Sequence, residues 1–269
     1  MRGVSTRLPA WTGLLLMLVV SRTAAIGDVD YRNPSERVLG LSPVASAFVF
    51  GTSRDAHERS VWMVESGERY LFGIAGLKTT YLRVAWDRRS SGLTFSSAFL
   101  SSPVGGEKYF AVQPFYRRSG RFVLSGTASV SIASFDGSQS ARLFTAGVGL
   151  VAAPSSAVAV GYRVEGIRAA GEERPGVDMS LYVAGWRDLP ASAVVGLRMD
   201  RGGEPGLVVA SRLRLGRSLE VALGFDERTG TLGSSLSVGS RSFTVLAGAA
   251  HHPVLGVSKA LFLRWGRGW

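Results

Sequence analysis

The sequence predicts an all-β fold, an antiparallel transmembrane β-barrel of about fourteen strands, and three observations predict it. Although 46% of the 269 residues are hydrophobic, no apolar run past the N-terminus approaches the roughly 18 residues that a membrane helix needs. From about residue 70 onward, segments of alternating polarity follow one another at intervals of roughly 10 to 17 residues, with Gly, Ser, Pro and Asp clusters between them. The polar positions of these segments are mostly Gly, Ala and Ser with isolated charges, the composition of a barrel interior.

The first residues follow a different logic. Arg2 and Arg7 precede an apolar run from Trp11 to Val20, and the small residues Thr23, Ala24 and Ala25 follow it. That order predicts a secretory signal peptide over residues 1–25, cleaved after Ala25, with an uncleaved anchor helix as the alternative. Its apolar core of about ten residues is short for a spanning helix. Cleavage removes Arg2, Arg7 and Arg22 and no acid, taking the net charge from +11 to +8.

The basic charge of an exported chain is either a compositional bias spread over its surface or a means of meeting membrane lipids, since arginine's planar fork suits the phosphates of acidic headgroups or lipopolysaccharide. Lysine occurs only at Lys78, Lys108 and Lys259. Export and the lack of a clustered basic stripe exclude nucleic acid as a partner. The chain has no cysteine, which fits an exported barrel closed by backbone hydrogen bonds.

Residues 26–69 resist the alternation, because the charged stretch Arg54-Asp55-Ala56-His57-Glu58-Arg59 follows the apolar Ala47-Phe48-Val49-Phe50. They are assigned to an N-terminal segment or plug, and residues 70–269 to the barrel. Within the barrel, Leu82, Val84 and Trp86 oppose Tyr81, Arg83 and Asp87. Phe122, Leu124, Val130 and Ile132 oppose Ser125, Thr127, Ser129 and Ser131, and Leu219, Val221, Leu223 and Phe225 oppose Glu220, Ala222, Gly224 and Asp226. In a strand such sets fall on opposite faces. Strands are predicted near 70–75, 79–88, 92–100, 107–117, 120–134, 141–152, 157–169, 177–187, 190–199, 206–215, 218–226, 230–239, 241–250 and 256–265. The short first hairpin leaves twelve strands as the alternative count.

An even count places both termini at one end, the periplasmic one, with the tight connections such as Arg88-Arg89-Ser90-Ser91 and Gly216-Arg217. Longer connections such as Ala170 to Gly176 gather at the other end. Aromatic residues near segment ends, at Trp86, Phe99, Tyr116, Phe135, Trp186 and Trp265, suit an interfacial girdle.

Near the C-terminus, Gly224-Phe225 and then His252-Pro253-Val254-Leu255-Gly256 lead into the final alternating segment. This stretch resembles the last hairpins of the FadL-like barrel superfamily, in its PorV-like branch. The resemblance covers about a fifth of the chain, and the family's N-terminal signature is not clearly matched by Asn33-Pro34. It implies fourteen antiparallel strands, an N-terminal segment reaching into the lumen, and most commonly transport. The alternation of Leu261, Leu263 and Trp265 before the terminal Trp269 implies handling by the barrel-assembly machinery.

No chemistry beyond this is indicated. The three histidines, His57, His251 and His252, have no third ligand at metal spacing and read as loop residues. Asp200-Arg201-Gly202-Gly203-Glu204 and Gly171-Glu172-Glu173-Arg174 read as solvated turns. No catalytic, cofactor-binding or metal motif appears, and no cofactor is implied.

The polar residues that merit interest are Arg83, Arg163, Glu165, Arg198, Arg212, Arg214 and Glu220, which share the non-lipid parity of their strands. Charges there must pair or meet water. They form either an internal ion-pair ladder or a basic passage for anionic solutes, and arginines facing carboxylates favour the ladder. The function expected is passive movement of a small or hydrophobic solute across a bacterial outer membrane; the alternative is a non-transporting envelope scaffold.

Overall fold

A computed structural model describes residues 61–267, apart from the connecting residues 89, 104, 119–121, 136–140, 153–157, 168–175, 185–190, 200–204, 217, 228–229 and 241. The expected signal peptide and most of the N-terminal segment lie outside the described residues. So do His57, both acidic loops and the side chains of Phe135 and Trp186.

Among the described residues there are fourteen strands: β1 (Val61–Tyr70), β2 (Lys78–Arg88), β3 (Ser91–Ser102), β4 (Gly105–Arg118), β5 (Phe122–Phe135), β6 (Ala141–Ala152) and β7 (Val158–Ile167), followed by β8 (Gly176–Ala184), β9 (Ala191–Met199), β10 (Pro205–Leu215), β11 (Leu219–Asp226), β12 (Thr231–Gly239), β13 (Phe243–His252) and β14 (Gly256–Arg267). Each pairs antiparallel with the next in sequence, and β14 returns to pair with β1. The ring therefore has no free edge. Closure matters because hydrocarbon offers nothing to hydrogen-bond an unpaired N–H or C=O.

Thirteen of the predicted strands stand within a few residues of their expected positions, but the first does not. Residues 71–77, half of the expected first hairpin, form a compact turn in which Leu71 N donates to Leu77 O, Ile74 N to Leu71 O and Leu77 N to Ile74 O. Positive φ at Phe72, Gly73 and Gly76 curls this apolar stretch out of the extended form. The strand lies upstream instead, at Val61–Tyr70, so the barrel begins inside the stretch assigned to the N-terminal segment. Glu65, Glu68 and Arg69 interrupt the apolar content of that strand. Two of these charges find partners on neighbouring strands, Glu65 with Arg264 and Glu68 with Lys78.

The alternation reads in the opposite sense to that of a soluble barrel. Leu82, Val84, Trp86, Leu124, Leu223, Leu236, Leu261 and Leu263 are exposed, while Tyr81, Arg83, Asp87, Ser125, Ala222 and Asp226 are buried. Among the described residues the outer surface is apolar to an extent that is unstable in water and suits hydrocarbon. Exposed aromatic side chains stand at both margins. Trp86, Tyr116, Phe243 and Trp265 are exposed at the end where β1 begins and β14 finishes, and Tyr70, Phe99, Phe144 and Phe225 are exposed at the other. Trp62 and Trp265 meet edge to face at 4.9 Å on the first margin, and Phe99 and Phe110 at 5.8 Å on the second.

The two longest connections, 71–77 and 168–175, sit at the end away from the chain's last strand residue. The tight turn between β10 and β11 is at the opposite end, where Gly216 adopts φ 69°. Among the described ladders, the pairing of β6 with β7 is interrupted by a register shift between Ala146 and Val148.

Candidate functional site on the inner wall

Because outward positions are apolar, any polar chemistry of the spanning region lies on the inner wall. There the ladder places Arg264 of β14, Glu65 of β1 and Arg83 of β2 in one row, since Glu65 is in register with both arginines. Arg264 clamps one carboxylate oxygen, with Nε at 2.8 Å and Nη2 at 2.7 Å from Glu65 Oε2. Glu65 is 1% exposed and Arg83 5%. Asp87 on β2 and Glu107 on β4 are also buried. Glu65 Oε1 accepts no hydrogen bond among the described residues.

Apolar side chains flank this row on both sides: Met63, buried in register with Gly266 and Ala85, on one, and Tyr81 and Phe262, also buried, on the other. Gly67 stands in register with both Phe262 and Tyr81, and the two rings lie 5.8 Å apart. A Cβ at Gly67 would collide with the Phe262 ring and the Leu261 carbonyl. Glycine is therefore required for Phe262 to lie across β1. Further round the wall, β5 contributes the buried hydroxyls of Ser125, Thr127, Ser129 and Ser131. Ser129 Oγ and Thr145 Oγ1 of β6 share a hydrogen bond at 2.6 Å, and Ser125 Oγ donates to Gly149 O at 3.4 Å. The lining thus combines charge, hydroxyl and aromatic surface.

The seven residues singled out from the sequence are distributed round this ring. Arg83 is buried in the row just described, and Glu220 is half-buried in register with Arg214. Arg163 and Arg198 both stand in register with Asp178 of β8. Arg212 pairs in register with Ala222 and Ser192, and Glu165 with Gly176. The register therefore aligns arginine, acid and arginine positions across two strand trios, β14–β1–β2 and β7–β8–β9, the side chains of the second set lying outside the described residues. Their middle strands stand seven apart in a ring of fourteen.

Three members of these rows escaped the sequence reading. Glu65 lay in the stretch assigned elsewhere, Asp178 in a segment whose inward face was not traced, and Arg264 between residues read only for their apolar face. The exposed parity of Leu261, Leu263 and Trp265 was the available signal for Arg264.

The histidine-proline turn is structural. His252 Nδ1 accepts hydrogen bonds from Val254 N at 3.2 Å and Leu255 N at 3.1 Å. Its ring meets Phe72 edge-on at 6.1 Å, and Phe72 N donates to Ser258 Oγ at 3.1 Å. Imidazole here caps a three-residue turn that Gly256 completes at φ 91°. The residues that carry the family resemblance thus tie the last hairpin to the 71–77 turn.

With this architecture and lining, the chain has the fold of the outer-membrane β-barrels. No family model matches the sequence, and no curated protein matches it. Among solved structures it is similar to the CymD monoaromatic hydrocarbon channel, with a TM-score of 0.57 at 8% identity over 88% of this chain and 97% of that one. It is also similar to the outer membrane protein Omp33 of Acinetobacter baumannii, with a TM-score of 0.55 at 7% identity over 76% of this chain and 96% of that one. At such identities the likeness is one of fold.

Proposed function

We propose that this chain is a FadL-like outer-membrane channel for passive movement of a small or hydrophobic solute. The observation that carries the reading is the mixed inner wall, where Met63 on one side and the Tyr81 and Phe262 rings on the other flank the Arg264–Glu65–Arg83 row. Such a lining gives an apolar solute a surface to slide along and gives the charges partners other than the solute. The inward arginines and carboxylates act as an internal ladder that holds the wall in shape. On the same reading residues 1–25 direct export, and the barrel-assembly machinery inserts the chain.

The test is conductance and liposome uptake by the purified, heat-modifiable barrel in planar bilayers and vesicles. Discrete conductance, or swelling with small uncharged solutes, supports the channel. The second reading, a non-transporting envelope scaffold, draws on the close burial of the β5 hydroxyls on the inner wall. Silence in bilayers from a barrel that has demonstrably inserted would favour it.

A further inference from the structure

The chain has 31 basic residues and uses lysine for three of them, Lys78, Lys108 and Lys259. All three fall within the first four residues of β2, β4 and β14, at the same end of the barrel. Their neighbours Thr79, Glu107, Tyr109, Ser258 and Ala260 are buried, so by parity the lysines belong to the outer face. Lys259 and Lys78 flank Tyr70 in one register row. Lys108 stands in register with Ile132, and Ile132 with the exposed Arg142. The patch thus presents four outward cations against one outward acid, Glu68, which holds Lys78 Nζ at 2.9 Å and accepts from Tyr70 OH at 2.7 Å.

A lysine at this depth lays its apolar stem along the wall and lifts a compact ammonium into the headgroup layer. The end bearing the patch also carries the two longest connections, which in barrels of this kind face outward. We infer that the outer wall of β14–β4 at the loop end is a binding surface for the phosphate groups of lipopolysaccharide. It rests on the membrane-spanning barrel but not on transport, so it stands or falls separately from the proposed channel. The opposite margin offers the exposed Arg88 and Arg118 and serves as the internal control.

The experiment uses the full chain in detergent, confirmed as heat-modifiable, titrated with purified phosphorylated lipopolysaccharide and followed by the rise in its unfolding midpoint. Each lysine is expected to contribute about fivefold to the affinity, so K78Q/K108Q/K259Q should weaken it on the order of a hundredfold. The corresponding triple Lys→Arg variant should stay within a few-fold of the parent, and R88Q/R118Q should match it. Should the triple glutamine variant fail to fold, K259Q alone must show the fivefold loss. Unchanged binding by folded glutamine variants, or equal binding of enzymatically dephosphorylated lipopolysaccharide, overturns the inference. So does an equal response to phosphatidylglycerol bicelles, which would make the patch a general anionic-lipid surface.

Discussion

Two rows of side chains cross the same three strands, β14, β1 and β2, and the barrel treats them differently. Arg264, Glu65 and Arg83 lie on the inner wall; Lys259, Tyr70 and Lys78 lie five residues further along each strand on the outer wall. An odd offset in a strand changes face, so positions about 17 Å apart on one ladder face the lumen and the lipid. Inside, the cation is arginine and its partner Glu65 is almost fully buried. Outside, the cation is lysine and its pair with Glu68 is exposed, at 41% and 38%. Arginine's fork suits fixed pairing in a dry wall, and lysine's flexible stem suits a wet margin.

The largest effect that would test this contrast is Glu65→Ala. It removes the carboxylate that Arg264 grips at 2.7 and 2.8 Å and should destabilise the barrel by about 3 kcal/mol, the low end for a buried pair because Arg264 keeps some exposure. Urea unfolding followed by the heat-modifiable band measures it; a loss below about 1 kcal/mol would mean that the row is no more than a surface pair.

Next in size is Gly67→Val, which drives a side chain into Phe262 and the Leu261 carbonyl. Overpacking of this kind costs about 1–3 kcal/mol, and Phe262→Ala in the same background should recover part of it. On the outer wall, Trp265→Ala loses the edge contact with Trp62 at 4.9 Å and should cost about 1 kcal/mol, with a larger loss in bilayers than in detergent. The smallest effect is Glu68→Gln. Stability should stay unchanged within error, while lipopolysaccharide binding tightens because the patch loses its one outward acid; weaker binding would show that Glu68 positions Lys78 instead. Salt sharpens the same comparison, since moderate ionic strength screens the outer row and leaves the inner one largely intact.

Much of the fold was legible because parity needs no tertiary information. Leu82, Val84 and Trp86 against Tyr81, Arg83 and Asp87 already state which side is apolar, and the structure exposes the first set and buries the second. Where local pattern and tertiary partner disagreed, the sequence misled. Leu71 to Leu77 is apolar and looks like strand, yet its glycines turn it. Val61 to Arg69 belongs to the stretch that resists the alternation and is assigned to an N-terminal segment or plug, yet Arg264 and Lys78 supply the partners that let it join the wall. The candidate site was legible only in part, because inward parity finds Arg83 or Arg163 without saying which acid stands opposite.

By itself the sequence determined the alternation, its period of two, and an even number of segments, as an antiparallel pairing of the last strand with the first requires. Those depend on side-chain direction along a single strand, which every residue carries locally. Tertiary structure decided the register. It set Glu65 between two arginines, Asp178 between Arg163 and Arg198, and three lysines scattered through 182 positions of chain at one margin of one wall. Register is a relation between strands, fixed by closure of the whole ring, and no single segment contains it.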